Sequence, residues 1–342
     1  MAHKKALEAL DRTMKDLRDN RNAFGGGLII LSGDFRQTLP VIPRATPADE
    51  LNACLKSSYL WPNVKKLSLK TNMRVILQSD PSAERFAKQL LQIGNGEIGP
   101  EPSSRNIVLP TDFCNSVTSD NALIDSVFPL LIQNYNDHRW LSERAILAPT
   151  NIDVDAINRA IQNRIPGDIM SYKSIDTVLN QDEAVEYPTE FLNSLDLPGM
   201  PPHDLKLKIG VPIIILRNIN PPRLCNGTRL SVKQLMNNII EGTILNGKFK
   251  GEQVLLPRIP LIPSDLPFEF KRLQFPVRLA FAMTINKAQG QSLQICGVNL
   301  LNPCFSHGQL YVACSRVGKP QDLYILASGG KTTNIVYPQA LE

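Results

Sequence analysis

The 342-residue sequence is poor in the residue types that build metal and disulfide sites. Its four histidines lie far apart and none has a metal-ligand spacing, and its six cysteines include no C-x-x-C pair. These cysteines fit the reduced thiols of an intracellular protein better than a disulfide framework or a zinc site.

Long apolar runs, repeats and a recognisable leader are also absent. No stretch approaches the roughly 20 apolar residues that a membrane span requires, and the first 20 residues are charged throughout. The net charge of +5 is compatible with a nucleic-acid partner but does not establish one. Basic charge without a signal favours the nucleus as the expected compartment.

The apolar pattern predicts an α/β protein. The stretch "GGGLIILSGDFRQTLPV" (25–41) predicts a buried strand, covered on both faces, that ends in the polar residues Asp34, Arg36 and Gln37. A second strand is predicted at 64–74, amphipathic helices at 2–19 and 82–96, and a linker at 97–120.

A second α/β unit follows. We predict a strand at 144–151, a helix capped by Asp153, one or two strands within 205–219, and a final helix at 308–317 and strand at 322–326. Asn-Gly at 226–227 and 246–247 separates short β-like runs, which indicates hairpins and a small antiparallel barrel. Residues 275–293 read as strand, loop and helix.

Polar clusters follow several of these strands, at the edge where open α/β sheets bind ligands. One cluster is Asp34, Arg36 and Gln37; the others are Thr71, Asn72 and Arg74; Thr150 and Asn151; Thr284, Asn286, Lys287 and Gln289; and, on a helix, Ser315 and Arg316. A single such cluster is more often a loop hydrogen-bonding group than a sensor. Five in one chain favour a binding site.

The motifs "GDFRQTLPV", "LKTNMR", "ILAPTN", "LCNGTRL", "FAMTINKAQGQSL" and "GQLYVACSR" occur in this order. Together they resemble the later motifs of the petite-integration-frequency (Pif-type) DNA helicases, relatives of RecD, and especially the branch carried by Helitron transposons. The resemblance covers residues 1 to about 335.

The resemblance implies a RecA-like P-loop NTPase helicase fold: parallel sheets with helices on both faces, plus a small SH3-like β-barrel insertion. The expected domains are the C-terminal part of the first motor domain (1–105), the second motor domain (106–228 and 273–342) and the barrel (229–272). The expected cofactors are ATP and Mg²⁺. The expected partner of such a monomeric motor is single-stranded DNA or a DNA fork.

Two parts that such a motor needs are missing from the sequence. No G-x-x-x-x-G-K-[ST] loop is present; the near miss "ILASGGKTT" (325–333) has Ile325 in place of the first glycine. No apolar strand ends in Asp-Glu. The resemblance therefore implies a chain truncated at its N-terminus, starting just after that motif. We expect weak ATP binding by this chain alone, and exposed apolar surface beside the missing strands.

The resemblance also assigns residues to the nucleotide. Gln37 is the expected sensor of the terminal phosphate, with Asp34 orienting it or a metal-bound water. Arg74 and Arg316 match the two nucleotide-facing arginines, and Gly290 and Gln291 are expected near the nucleotide cleft. The alternatives are an Asp34–Arg36 ion pair at the strand end and structural salt bridges for both other arginines.

For DNA, the resemblance points to Thr284, Asn286 and Lys287 as contacts to the backbone. Many relatives have histidine where this chain has Asn286, so its individual role rests on weaker ground. Thr150 and Asn151 are further candidates, for which helix capping is an equal alternative. The alternative for the whole chain is a non-catalytic DNA- or partner-binding remnant of a helicase.

Overall fold

The computed structural model describes residues 2–42, 46–69, 81–101, 104, 106–179, 186–263 and 266–342. The chain divides into two compact units. Unit 1 comprises Met1–Asn115, Pro303–Asp322 and Ala327–Glu342, and unit 2 comprises Ser116–Asn302 and Leu323–Leu326. Unit 1 is therefore built from segments that unit 2 separates in sequence.

The helices are mostly short. They are α1 Lys4–Leu17, α2 Pro47–Ala53, α3 Pro81–Asn95, α4 Asp120–Val127, α5 Leu131–Asn134, α6 His138–Ser142, α7 Asn151–Arg164, α8 Thr189–Ser194, α9 Gln309–Cys314 and α10 Pro338–Leu341. The helices predicted at 2–19, 82–96 and 308–317 are thus confirmed by α1, α3 and α9. Within the described ranges, no helix has the length and apolar character to cross a membrane.

The strands are likewise short. They are β1 Asn106–Val108, β2 Asn115–Val117, β3 Arg144–Ala148, β4 Met170–Lys173, β5 Ile175–Val178, β6 Asp204–Leu207, β7 Pro212–Ile215, β8 Arg229–Leu235, β9 Ile239–Ile244, β10 Gln253–Pro257, β11 Ile259–Leu261, β12 Phe270–Gln274, β13 Val277–Leu279, β14 Ala282–Thr284, β15 Ile295–Asn299, β16 Leu323–Leu326 and β17 Lys331–Thr333.

A parallel sheet organises one part of unit 2. Its strand order is β14-β3-β15-β16-β2, and the pairs β14–β3, β3–β15 and β15–β16 are all parallel. Helices α4 and α7 pack on it. Residues 145–148 of β3 are fully buried, as expected of a parallel strand with a continuous apolar run. The sheet confirms the α/β fold class.

Antiparallel sheets form the rest of unit 2. One has the order β10-β9-β8-β7-β13 and another the order β11-β12-β5. Both predicted Asn-Gly turns join antiparallel neighbours: 226–227 lies between β7 and β8, and 246–247 between β9 and β10. The two glycines have positive φ angles, as such turns require. The larger sheet extends beyond 229–272, since β7 and β13 lie outside that range.

Several local predictions are wrong. Residues 27–34 form no strand, and Leu28 and Ile30 are 90% and 85% exposed. An apolar run becomes a buried strand only when neighbouring strands pair with it and helices cover it. Residues 64–69 are also irregular, and residues 70–74 lie outside the described residues. The expectation of exposed apolar surface in this region is confirmed.

Three further predictions are corrected. The predicted linker at 97–120 contains β1 and β2. The helix predicted within 275–293 is only a short 3₁₀ turn at Ile285–Ala288. The cap of α7 is Thr150 and not Asp153, because the Thr150 hydroxyl accepts a hydrogen bond from the Asp153 backbone N–H at 3.3 Å.

A buried arginine ties β8 to its surroundings. Arg229 is fully buried and donates to the carbonyl oxygens of Leu141 (3.1 Å), Ser142 (3.4 Å), Arg144 (3.1 Å) and Ala280 (3.2 Å). Burial lowers the pKa of Arg229 to about 10, so its side chain remains charged at neutral pH. The carbonyl dipoles thus solvate a cation inside unit 2.

We predict that Arg229→Met lowers the free energy of unfolding of unit 2 by about 3 kcal/mol, because four carbonyls lose a buried donor. Urea denaturation followed by Trp140 fluorescence, in a Trp61→Phe background, measures this unit. Arg223→Met is the control, since Arg223 makes a surface ion pair with Glu252 at 2.7 Å. Its expected loss is below about 1 kcal/mol. Equal losses in the two variants would contradict the prediction.

Candidate functional site

The first candidate site begins with a tight turn at residues 34–37 in unit 1. The Gln37 backbone N–H donates to the Asp34 carbonyl at 3.1 Å, and the Arg36 N–H donates to Asp34 Oδ1 at 3.1 Å. The aspartate side chain therefore closes its own turn, as short polar side chains often do. We call residues 34–37 the sensor turn.

Both oxygens of the Asp34 carboxylate are engaged. Oδ1 also accepts from Arg36 Nη1 at 3.3 Å, and Oδ2 accepts from the Tyr311 hydroxyl at 2.9 Å. Arg36 Nε in turn donates to Asn95 Oδ1 at 2.6 Å. The alternative of an Asp34–Arg36 pair is thus part of a larger network, which reaches α3 and α9.

Arg316 follows α9 and is 5% exposed. Its Nε donates to the Val312 carbonyl at 2.7 Å and its Nη2 to Ser315 Oγ at 2.7 Å. An arginine at a helix C-terminus interacts favourably with the carbonyl ends of the helix. The structure therefore brings Asp34, Gln37 and Arg316 into one unit, whereas Arg74 lies outside the described residues.

Electrostatics link the same groups. Burial, the Asp34 charge and the hydrogen bond to it raise the pKa of Tyr311 to about 12, while Arg36 and Arg316 oppose this rise. The hydroxyl therefore keeps its proton and remains a donor at neutral pH.

A close backbone approach locks the sensor turn against the segment before α9. A Cβ at Gly308 would lie 2.2 Å from the Arg36 carbonyl oxygen and 2.8 Å from the Gln37 carbonyl carbon. Gly308 also has φ +71°, a conformation that favours glycine. No side chain fits between these two backbones.

We predict that Gly308→Ala destabilises unit 1 by about 2 kcal/mol more than Gly330→Ala, because only the first forces the sensor turn to move. Gly330 is a matched control in the same unit: it has the same φ of +71° and no atom within 4 Å of an added Cβ. Urea denaturation, followed by Trp61 fluorescence in a Trp140→Phe background, measures the difference. Similar losses for the two alanine variants would show that the close approach is unimportant.

His307 adds a second fixed contact to the turn. The Tyr337 backbone N–H donates to His307 Nδ1 at 2.9 Å, so the proton lies on Nε2, which donates to the Phe35 carbonyl at 2.8 Å. The ring is fully buried. Burial lowers the pKa of His307 from 6.5, and the Phe35 carbonyl and the Asp34 charge oppose this shift.

We predict that His307 makes the stability of unit 1 depend on pH. Its pKa is lower in the folded than in the unfolded chain, so only the unfolded chain gains a proton as the pH falls below 6.5. The stability contribution is complete above pH 6.5 and declines below it. In urea denaturation between pH 7.5 and 5, His307→Gln should therefore show a flatter pH dependence than the unaltered chain. Parallel curves would contradict the assignment.

The second candidate site lies in unit 2, after β14. Thr284 ends that strand, and Lys287 follows in the 3₁₀ turn. Lys287 Nζ donates to Asn226 Oδ1 at 2.7 Å, and Gln291 Nε2 donates to the Lys287 carbonyl at 3.1 Å. Gly290 is exposed and has φ +79°. This turn thus brings Lys287, Gly290 and Gln291 together.

Lys287 lies in a cationic setting. Burial, Arg217 and Arg278 all lower the pKa of Lys287. Arg278 already pairs with Asp155 at 3.2 Å and Asp196 at 2.6 Å. Lys287 itself makes no ion pair with a carboxylate in the described part of the chain. A partly desolvated cation among like charges is suited to an anionic ligand.

The remaining predicted residues have more local surroundings. Thr150 caps α7, with its hydroxyl donating to Asp153 Oδ2 at 2.7 Å, and Asn151 is the first helical residue. These contacts are those of the capping alternative. Asn286 Oδ1 is buried and has no hydrogen-bond partner among the described residues. An amide oxygen is an acceptor, so this atom suits a hydrogen-bond donor and not a phosphate oxygen.

The described residues fit a phosphate better than a metal ion. They contain no cluster of three or more metal-ligating side chains, and both Asp34 oxygens already have donors. An amide at Gln37 and a guanidinium at Arg316 suit a terminal phosphate. The charged groups of both candidate sites could therefore be predicted from the sequence. Roles for Tyr311, His307 and Asn226 could not, although Tyr311 and Asn226 stand inside quoted motifs.

Comparison with known proteins finds similarity to one family of helicases over parts of the chain. Residues 1–104 match the family model of the PIF1-like helicases, and residues 190–235 match that of the 2B domain of DNA helicase Pif1. The second match overlaps the predicted barrel, 229–272, only in part.

Two curated relatives match along most of the chain. The ATP-dependent DNA helicase PIF1 of Emericella nidulans is 24% identical, covering 98% of this chain and 47% of the relative. The ATP-dependent DNA helicase Pif1 of Campylobacter jejuni is 26% identical, covering 90% of this chain and 64% of the relative. This chain therefore spans less than two thirds of the length of either protein.

Solved structures agree in fold. The Candida albicans Pif1 helicase has a TM-score of 0.62 at 22% identity, over all of this chain and 73% of that one. A Bacteroides Pif1 helicase in complex with ADP-AlF3 and ssDNA has a TM-score of 0.64 at 20% identity, over 99% and 70%. The fold is thus RecA-like. The family models and curated relatives show similarity to PIF1-like helicases, and the solved structures show the shared fold.

Proposed function

We propose that this chain forms part of an ATP-dependent DNA helicase motor that moves 5′ to 3′ on single strands. The names of its relatives support ATP-dependent DNA unwinding. A Bacteroides relative crystallised with ADP-AlF3 and ssDNA supports the two ligands. The observation that carries the proposal is Lys287, a desolvated cation without a carboxylate partner in the described residues.

On the nucleotide side, the proposed roles belong to the sensor turn and the arginines. The Gln37 amide would contact the terminal phosphate, and Arg316 would stabilise the charge that develops on it, with Arg74, Gly290 and Gln291 as further contacts. Asp34 holds the turn that carries Gln37. Hydrolysis of ATP, bound together with Mg²⁺, would supply the free energy for movement along the strand.

On the DNA side, Lys287 would contact the phosphate backbone. A lysine already stripped of part of its water loses less hydration when it meets a phosphate, and Arg217 and Arg278 extend the positive field. Thr284 and Asn286 would add polar contacts, and Thr150 and Asn151 lie at the start of α7. Such contacts fix a strand without reading its sequence.

The sequence holds no glycine-rich phosphate loop, so we propose that this chain alone is inactive in hydrolysis. Supplying a phosphate loop and an Asp-Glu strand should then restore it. The proposed settings are DNA repair, recombination and telomere maintenance, or Helitron transposition, in the nucleus. Hydrolysis of ATP by this chain alone, stimulated by single-stranded DNA, would contradict the proposal of inactivity.

We predict that Lys287→Ala weakens binding to a labelled oligo(dT) and reduces the dependence of log Kd on log salt by about one unit. Fluorescence anisotropy measures both the affinity and its salt dependence. Salt concentrations of about 50 to 200 mM are suitable, because phosphate contacts change the affinity strongly over that range. Lys233→Ala is the control, because Lys233 pairs with Glu241 at 2.8 Å and is already neutralised. Equal slopes for Lys287→Ala and the unaltered chain would reject Lys287 as a backbone contact.

A further inference from the structure

Tyr311 connects the sensor turn, which carries Gln37, with α9, the helix that precedes Arg316. It stands on α9, five residues before Arg316, and its hydroxyl donates to Asp34 Oδ2 at 2.9 Å. The same carboxylate accepts the Arg36 backbone N–H that closes the sensor turn. One side chain therefore connects the turn carrying Gln37 with the helix leading to Arg316.

The surroundings leave Tyr311 little freedom. Gly94 of α3 lies against both ring and turn: a Cβ there would be 2.9 Å from Tyr311 Cδ2 and 2.8 Å from Arg36 Cδ. A larger residue at position 94 would push both partners. The tyrosine is thus set by packing from α3 and by hydrogen bonding to the turn.

The neighbours of Tyr311 meet the sensor turn as well. His307 Nε2 donates to the Phe35 carbonyl, and Gly308 lies against the Arg36 and Gln37 backbones. These two contacts fix the backbone of the turn. Tyr311 instead donates to the Asp34 side chain, whose other oxygen accepts the Arg36 N–H that closes the turn.

We propose that Tyr311 is a positioning residue, which holds the Asp34 turn in register with α9 so that Gln37 and Arg316 can act on one terminal phosphate. This role rests on the proposed nucleotide site and deepens it. Tyr311 need not touch the nucleotide. One charge-assisted hydrogen bond would couple the two elements. A displacement of α9, the helix that precedes Arg316, would move the sensor turn, and a displacement of the turn would move α9.

The first test needs no ligand. Hydrogen exchange of the Arg36 and Gln37 amides, both donors within the turn, reports its opening. Loss of a hydrogen bond to a charged group should raise this exchange about ten-fold in Tyr311→Phe. Tyr59→Phe is the matched control in the same unit, since the Tyr59 hydroxyl donates to Asp11 Oδ2 at 2.8 Å. It should leave the exchange of the two amides unchanged.

The results separate the outcomes clearly. Faster exchange in Tyr311→Phe than in Tyr59→Phe, with similar thermal melting of the two, supports positioning. Asp34→Asn should reproduce the effect, and adding Tyr311→Phe to it should have little further effect. Unchanged exchange in Tyr311→Phe, or equal increases in both tyrosine variants, would overturn the inference.

The second test measures the nucleotide. The ratio of ADP to ATP dissociation constants, followed by Trp61 fluorescence in a Trp140→Phe background, reports how well the terminal phosphate is sensed. Trp61 is suited to this because its ring lies 5.5 Å from that of Phe35 in the sensor turn. Tyr311→Phe should lower the ratio while leaving the affinity for ADP unchanged, and the effect should vanish in an Arg316→Ala background.

A tyrosine that only stabilises the fold would weaken both nucleotides alike and would overturn the inference. If the unaltered chain binds neither nucleotide, the proposed nucleotide site fails in this chain, and the amide-exchange comparison alone decides whether Tyr311 positions the turn. The two failures are therefore distinguishable.

Discussion

The carboxylate of Asp34 is the interaction on which the candidate nucleotide group depends. Oδ1 closes the sensor turn through the Arg36 N–H and pairs with the Arg36 guanidinium, while Oδ2 receives the Tyr311 hydroxyl. Removal of this carboxyl group would leave three donors without an acceptor, and each such loss is costly in a partly buried site. The Gln37 N–H closes the same turn by donating to the Asp34 backbone carbonyl.

In unit 2, two buried arginines are surrounded by hydrogen-bond acceptors, whereas Lys287 has fewer of them. Arg229 is surrounded by four carbonyl oxygens, and Arg272 combines the Asp176 carboxylate at 2.7 Å with the Leu192, Leu195 and Pro201 carbonyls. Arg272 thus has a carboxylate partner, whereas the Nη atoms of Arg229 are solvated by carbonyl dipoles alone. Lys287 has one amide oxygen and two cationic neighbours. The positive charge of Lys287 is therefore only partly balanced by its neighbours, a property that suits the binding of an anion.

The sequence could predict what local pattern determines. Helices α1 and α3 follow from apolar spacing, β3 from a short apolar run, and the hairpins from Asn-Gly. The strand predicted at 28–34 is absent, because burial depends on neighbours that a local pattern does not specify. Gln37 and Arg316 came from resemblance to a family. Tyr311 and His307 were missed because their partners lie 277 and 272 positions away in sequence.

Because Asp34 and Tyr311 are far apart in sequence, bringing them together costs conformational entropy of the intervening chain. The strands nearest in sequence to the boundaries of unit 2, β2, β15 and β16, are neighbours in the sheet order. The entropic cost of closing a chain segment depends only weakly on its length. The close approach at Gly308 and the His307 bond then fix the backbones. What remains for Tyr311 is a local choice of side-chain geometry, for which one charge-assisted hydrogen bond is sufficient.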